Sequence, residues 1–170
     1  MISDKMQAAL NDQVNEEFYS AYLYLAMSSY CQTIGLPGFA HWMRLQYEEE
    51  NMHVTKMYDY ILNQGGAVHL KAIAEPEQEF GSPLEIVKKT LEHEQYITNL
   101  IHRLMDLAVE ERDYATQTFL QWYVTEQVEE EANVNDILAP LQMVGDDKGG
   151  LMMIDQQLAG RSAPSQLAAT

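Results

Sequence analysis

The sequence predicts an all-α fold: a four-helix bundle with one long crossover and a short fifth helix at the C-terminus. Three observations carry this. Four long stretches show apolar residues at alternating spacings of three and four, bounded by caps and breakers. Two of the links between them are short. The middle link is long and strandless.

The first helix is expected from "SD" at residues 3–4 to about Thr33, ending before Gly35. The second follows "LPG" and runs to "NQGG" at residues 63–66. The third opens at "SP", residues 82–83, where a cap residue precedes a proline in the first turn, and ends near Asp113. The fourth runs from about Tyr114 to Met143, before Gly145, with Pro140 expected to kink or loosen its last turns. A short fifth helix fits "KGGLMMIDQQLAG", from about residue 149 to 159. Residues 1–160 read as one domain and "RSAPSQLAAT", 161–170, as a flexible tail.

Short links make the first and second helices antiparallel, and likewise the third and fourth. A helix of about 28 residues is about 42 Å long. The link from Gly65 to Gly81 can stretch to roughly 56 Å. It can therefore cross the whole bundle and set the second and third helices parallel.

Composition narrows the partners. The chain carries 10 basic and 26 acidic residues, a formal net charge of −16. Nucleic acid and anionic membrane would be repelled, whereas cations would be drawn in. Cys31 stands alone, which excludes an intrachain disulfide framework, a four-cysteine zinc site and a cysteine-held iron–sulfur cluster. It reads as a small buried apolar residue. "MISDKMQAAL" lacks the basic start and apolar core of a signal peptide, and no apolar run reaches the length of a membrane span, so a cytoplasmic protein is expected.

The apolar seams contain the informative residues. They read Met6, Leu10, Val14, Glu17, Ala21, Tyr24, Ser28, then Phe39, Met43, Gln46, Glu50, His53, Met57, Ile61. The third is Leu84, Val87, Leu91, Glu94, Ile97, Ile101, Met105, Ala108, and the fourth Phe119, Tyr123, Gln127, Glu130, Val134, Ile137, Leu141. A glutamate interrupts each seam near its midpoint. Glu17, Glu50, His53, Glu94, Gln127 and Glu130 should therefore converge in one interior layer.

Any one of these acids alone could be a buried ion pair or a partly solvated seam edge. As a set they have no basic partner, because none of the ten Lys and Arg residues falls on a seam. Unpaired carboxylates in a dry layer repel at several kcal/mol each, by order of magnitude. A multivalent cation among them resolves this better than wholesale protonation. Oxygen donors with one imidazole suit iron or manganese more than zinc. Glu50 and His53 form Glu-x-x-His, whose spacing puts both ligands on one helix face. Glu50 could bridge two ions, one also held by Glu17 and His53, the other by Glu94 and Glu130.

Glu49, Glu126 and Glu129 lie one position off the seam. They fit either a solvated acidic face or a third cation site. Tyr24 fits packing, or an electron donor beside a redox metal. His41, His69, His93 and His102 read as surface or loop residues. The acids Glu110, Glu111 and Asp113 read as a solvated helix end, or as a lure for cations if subunits meet there.

On "NEEFYSAYLY", "YEEENMH", "LEHEQ" and above all "FLQWYVTEQVEEE", the chain resembles the bacterial non-haem ferritins over about residues 1–160. The resemblance implies a first ferroxidase iron site of Glu17, Glu50 and His53, and a second of Glu50, Glu94 and Glu130. It implies a third iron site of Glu49, Glu126, Glu129 and Glu130, with Gln127 and Tyr24 beside the centre. It further implies a homo-24-mer shell in which ferrous iron is oxidised by dioxygen or hydrogen peroxide and stored as ferric mineral. In such shells the fifth helix lines a four-fold pore. Two departures set the chain apart from bacterioferritins: "QVEE" replaces their second Glu-x-x-His, and Asn51 stands where they carry a haem-binding Met, so no haem is expected. The alternative is a small di-iron oxidase or peroxidase that stores no mineral.

Overall fold

The computed structural model describes residues 1–162; residues 163–170, most of the predicted tail, lie outside the described residues. Five helices follow in order: α1 Asp4–Thr33, α2 Pro37–Asn63, α3 Pro83–Glu110, α4 Tyr114–Val144 and α5 Lys148–Ala159.

Local chemistry sets most boundaries. Ser3 caps α1 by accepting from the Met6 amide, and Asp113 caps α4 by accepting from Thr116. Ser82 and Glu85 form a reciprocal capping box at α3, with Pro83 in the first turn. Gly35 and Gly65 follow α1 and α2 with φ of 83° and 76°, where a side chain would be strained. Pro140 does not stop α4, which continues to Val144.

The crossover follows α1 from one end to the other. At its start Asn11 and Gln7 hydrogen-bond Ala67, and the His69 amide donates to Asn11. At its end Tyr30 donates to the Gly81 carbonyl and its ring meets Phe80. α3 therefore begins beside the end of α1 and runs parallel to α2. Two apolar clusters fill the bundle's halves, one around Met27, Phe39, Met43 and Ile86, the other around Met6, Leu10, Met57 and Ile101. Between them lies a waist of buried polar side chains. Cys31 is buried in the first cluster, and burial pushes its thiol up to about 12.

α5 docks on α2 and α4. The first turn of α2 has no side-chain cap of its own, and Asp155 of α5 supplies one, accepting from the Phe39 amide at 3.0 Å. The approach depends on Gly38, since a Cβ there would lie 1.7 Å from the Asp155 carbonyl oxygen.

Candidate metal centre

The waist contains the predicted layer. Glu17, Glu50, His53, Glu94, Gln127 and Glu130 are all buried, each contributed by the middle of its helix. The seam spacing brings them there, one turn apart from the apolar residues on either side. Ligand atoms of Glu17, Glu50 and His53 lie within 4.8 Å of one another, and so do those of His53, Glu126 and Glu130. The first group is the residue set expected for the first iron site. The second draws in Glu126, which approaches His53 Nε2 at 4.0 Å.

Each of these side chains is held by neighbours. Gln13 Nε2 donates to Glu17 Oε1 at 2.9 Å, while Glu17 Oε2 is buried without any hydrogen-bond partner. His53 Nδ1 meets Glu50 Oε2 at 3.2 Å, and its ring edge packs on Trp122. Tyr123 donates to the His53 carbonyl at 2.7 Å, fixing the backbone under the imidazole. Tyr24 donates its hydroxyl to Glu94 Oε1, and Gln127 Nε2 donates to Glu94 Oε2 at 3.1 Å. Gln46 Nε2 donates to Glu130 Oε2 at 2.7 Å. With both oxygens so engaged, Glu94 joins neither three-ligand group, although it lies close enough to Glu50 and Glu130 to raise both.

The electrostatics follow from burial. Desolvation, reinforced by Glu50, pushes Glu17 well above the usual carboxylate range. Glu50 is raised by burial and then by Glu94 and Glu130. Burial and Glu94 carry Glu130 up to about 8. Glu94 is raised by burial, against the hydrogen bonds from Tyr24 and Gln127. These four carboxyls have no Lys or Arg partner among the described residues. A buried, unpartnered oxygen and several crowded acids make a donor set suited to hard multivalent cations, with one imidazole for a transition metal.

The outer acids diverge. Glu126 is half-buried against His53, and Glu129 is exposed. Glu49 is buried but paired with Arg161, whose Nη2 donates to its two oxygens at 2.8 and 3.0 Å. Sequence reasoning did not find Arg161, because it lies beyond α5 and reaches the site only through the tertiary fold. Gln13 and Gln46 were also missed as supports; they sit one turn before Glu17 and Glu50, which was the available signal.

The histidines correct one expectation. His69 and His102 are exposed, but His93 is half-buried, with Nε2 at 2.8 Å from Ser20 Oγ and its ring edge-on to Tyr24. Desolvation lowers it to about 4. It lies one position before Glu94, on the side of α3 that faces α1 rather than on the seam. His41 is also half-buried, donating Nε2–H to the Arg161 carbonyl at 2.9 Å.

Residues 7–144 match the Ferritin-like domain family. A bacterial non-heme ferritin of Bacteroides fragilis (strain 638R) is 43% identical over 161 residues, covering 95% of this chain and 100% of the relative. One from Staphylococcus haemolyticus is 40% identical over 162 residues, covering 95% and 98%. Among solved structures, an open pore ferritin from the hyperthermophilic archaeon Archaeoglobus fulgidus superposes with a TM-score of 0.94 at 51% identity, covering 95% of this chain and 99% of that one. A form of the Archaeoglobus fulgidus ferritin engineered to be closed gives a TM-score of 0.95 at 49% identity, covering 96% and 100%. Sequence, fold and the carboxylate-lined waist lead to one assignment: the chain belongs to the ferritin family.

Proposed function

We propose that the protein is an iron-storage ferritin with ferroxidase activity. Ferrous iron is its substrate, oxidised by dioxygen or hydrogen peroxide at paired sites inside each subunit, and ferric mineral accumulates inside a shell of 24 copies in the cytoplasm. The observation that carries this reading is the buried carboxylate layer with its orphaned Glu17 Oε2.

Glu17, Glu50 and His53 take one ferrous ion. Glu50, Glu94 and Glu130 take its neighbour, once Glu94 turns an oxygen from Tyr24 or Gln127 toward the metal. Glu49, Glu126, Glu129 and Glu130 form a third iron site. Two ions sharing Glu50 give two electrons to one oxidant: dioxygen with two protons becomes hydrogen peroxide, and hydrogen peroxide with two protons becomes water. The anionic oxygen ligands favour the ferric state over the ferrous. Tyr24, through its hydroxyl on Glu94, is placed to supply a further electron. Assembly is supported by large apolar side chains left exposed on single subunits, including Tyr22, Met52, Tyr58 and Leu62 of α1 and α2 and Met152 and Met153 of α5. No described helix is long and apolar enough to cross a membrane.

The test is to load metal-free protein with excess ferrous iron in air, separate it by size, and count iron per chain. Glu50→Ala is run alongside. Retention far above the ligand capacity, in a shell-sized peak and slowed in the variant, is expected. A few ions held in a small species would overturn storage and point to a di-iron oxidase or peroxidase.

A further inference from the structure

Arg161 follows the Gly160 cap of α5 and returns to the bundle against α2. Four residues of α2 hold it. His41 binds its carbonyl, the Trp42 ring lies 5.0 Å from its guanidinium carbon, Gln46 Oε1 accepts from Nη1, and Glu49 accepts from Nη2. The side chain is 22% exposed, and that of Glu49 11%, so this ion pair is only lightly screened. It is the one Lys or Arg contact to the acids on the inner side of α2 among the described residues.

Gln46 extends the contact inward. Its amide is fully buried, with the oxygen turned to Arg161 and the nitrogen donating to Glu130 Oε2 at 2.7 Å. Such an amide passes polarisation on: a cation at its oxygen strengthens the bond its N–H makes. Arg161 therefore touches Glu49 directly and Glu130 through one side chain. Both carboxylates belong to the third cation site of the proposed function, on which this inference rests.

We propose that Arg161 is a built-in cation that closes the Glu49 side of the centre, so that its guanidinium and a third metal ion exclude one another. Glu49 presents both oxygens to Nη2 of the guanidinium, whose positive charge opposes a metal ion on the same carboxylate. A third ion must displace Arg161, breaking a charge-assisted pair and releasing Gln46 from one of its two anchors. The pair sites, built on Glu17, Glu50, His53, Glu94 and Glu130, do not use Glu49; Arg161 reaches their Glu130 only through Gln46, so they fill without that displacement. Arg161 thus sets the order of filling: two ions first, the third only at higher concentration. It acts as a positioning and competing residue rather than a catalytic one.

The experiment is calorimetric titration of the metal-free assembled protein with Zn2+, a redox-inert probe, comparing wild type, Arg161→Gln and Arg161→Lys. The expected result is two tight equivalents per chain in all three. The third should be at least tenfold tighter in Arg161→Gln than in wild type, with Arg161→Lys between them. A merely structural role for Arg161 would leave the third equivalent unchanged or weaker in Arg161→Gln; adding Glu49→Gln, which removes the contested carboxylate, should abolish the gain. Two equivalents with an unchanged third in Arg161→Gln would overturn the inference and leave the proposed function standing. Absence of the first two equivalents in every protein would overturn both. Arg161→Lys keeps the comparison usable if loss of the charge loosens α5.

Discussion

Glu130→Gln should stabilise the metal-free protein, by an amount that grows with pH. Burial, and then the charges of Glu94 and Glu49, hold the Glu130 carboxyl at about 8 against an ordinary 4.5. The unfolded chain loses this proton near the ordinary value, and the folded chain keeps it until about 8. Between those values the native state binds more protons, so its stability falls as pH rises. The proton's contribution is complete below the lower value and gone above the upper one. Each pH unit separating the two is about 1.4 kcal/mol, which sets a ceiling on the order of 5 kcal/mol. Glu50 and Glu94 share the pocket and the protons, so about 2 kcal/mol is the expected gain near the upper end. The amide is nearly isosteric, and its oxygen still accepts from Gln46, so little packing is lost. In melts of metal-free protein, the gap between variant and wild type should open by roughly 4–8 °C for a chain of this size. It should open between about pH 5.5 and about pH 8.5. Parallel melting curves across that range, or a variant that is less stable throughout, would refute the electrostatic account of the waist.

Other outcomes follow from the same geometry. Binding of a divalent cation should release protons, because the raised carboxyls must ionise to ligate. The release, read from titration heats in buffers of different ionisation enthalpy, should shrink as pH rises through about 8, where Glu130 ionises unaided. Zero release at neutral pH would mean the layer is already ionised. Asp155→Ala removes the acceptor from the uncapped first turn of α2 and should cost about 1–2 kcal/mol, with Asp155→Asn recovering most of it in thermal melts.

The helices and the buried carboxylate layer were legible in the sequence because both rest on local rules. Ser82–Pro83 marked the start of α3, and Gly35 and Gly65 closed α1 and α2, since those positions answer to backbone chemistry within a few residues. Glu17, Glu50, Glu94 and Glu130 were visible because a charge breaking an apolar seam has no cheap explanation. The crossover's length implied its path, and its hydrogen bonds along α1 follow that path. What escaped depended on distant partners. His93 lies off the seam, and its burial comes from Tyr19, Tyr24 and Ser20 of α1. Arg161 sits past a glycine, in a stretch whose composition reads as tail, and the close docking of α5 on Gly38 brings it to Glu49. The side-chain anchoring of Glu94 by Tyr24 and Gln127 likewise reflects helix rotation, which spacing alone does not set.

The proposed ferroxidase activity requires two ferrous ions side by side in the buried waist, sharing Glu50. Its most direct test is a crystal of the protein soaked anaerobically in ferrous iron, with anomalous difference density measured at the iron absorption edge. Two interior peaks are expected in each subunit, one beside Glu17 and His53, the other beside Glu94 and Glu130, with Glu50 between them. Iron confined to surface carboxylates, with no density in the waist, would contradict it.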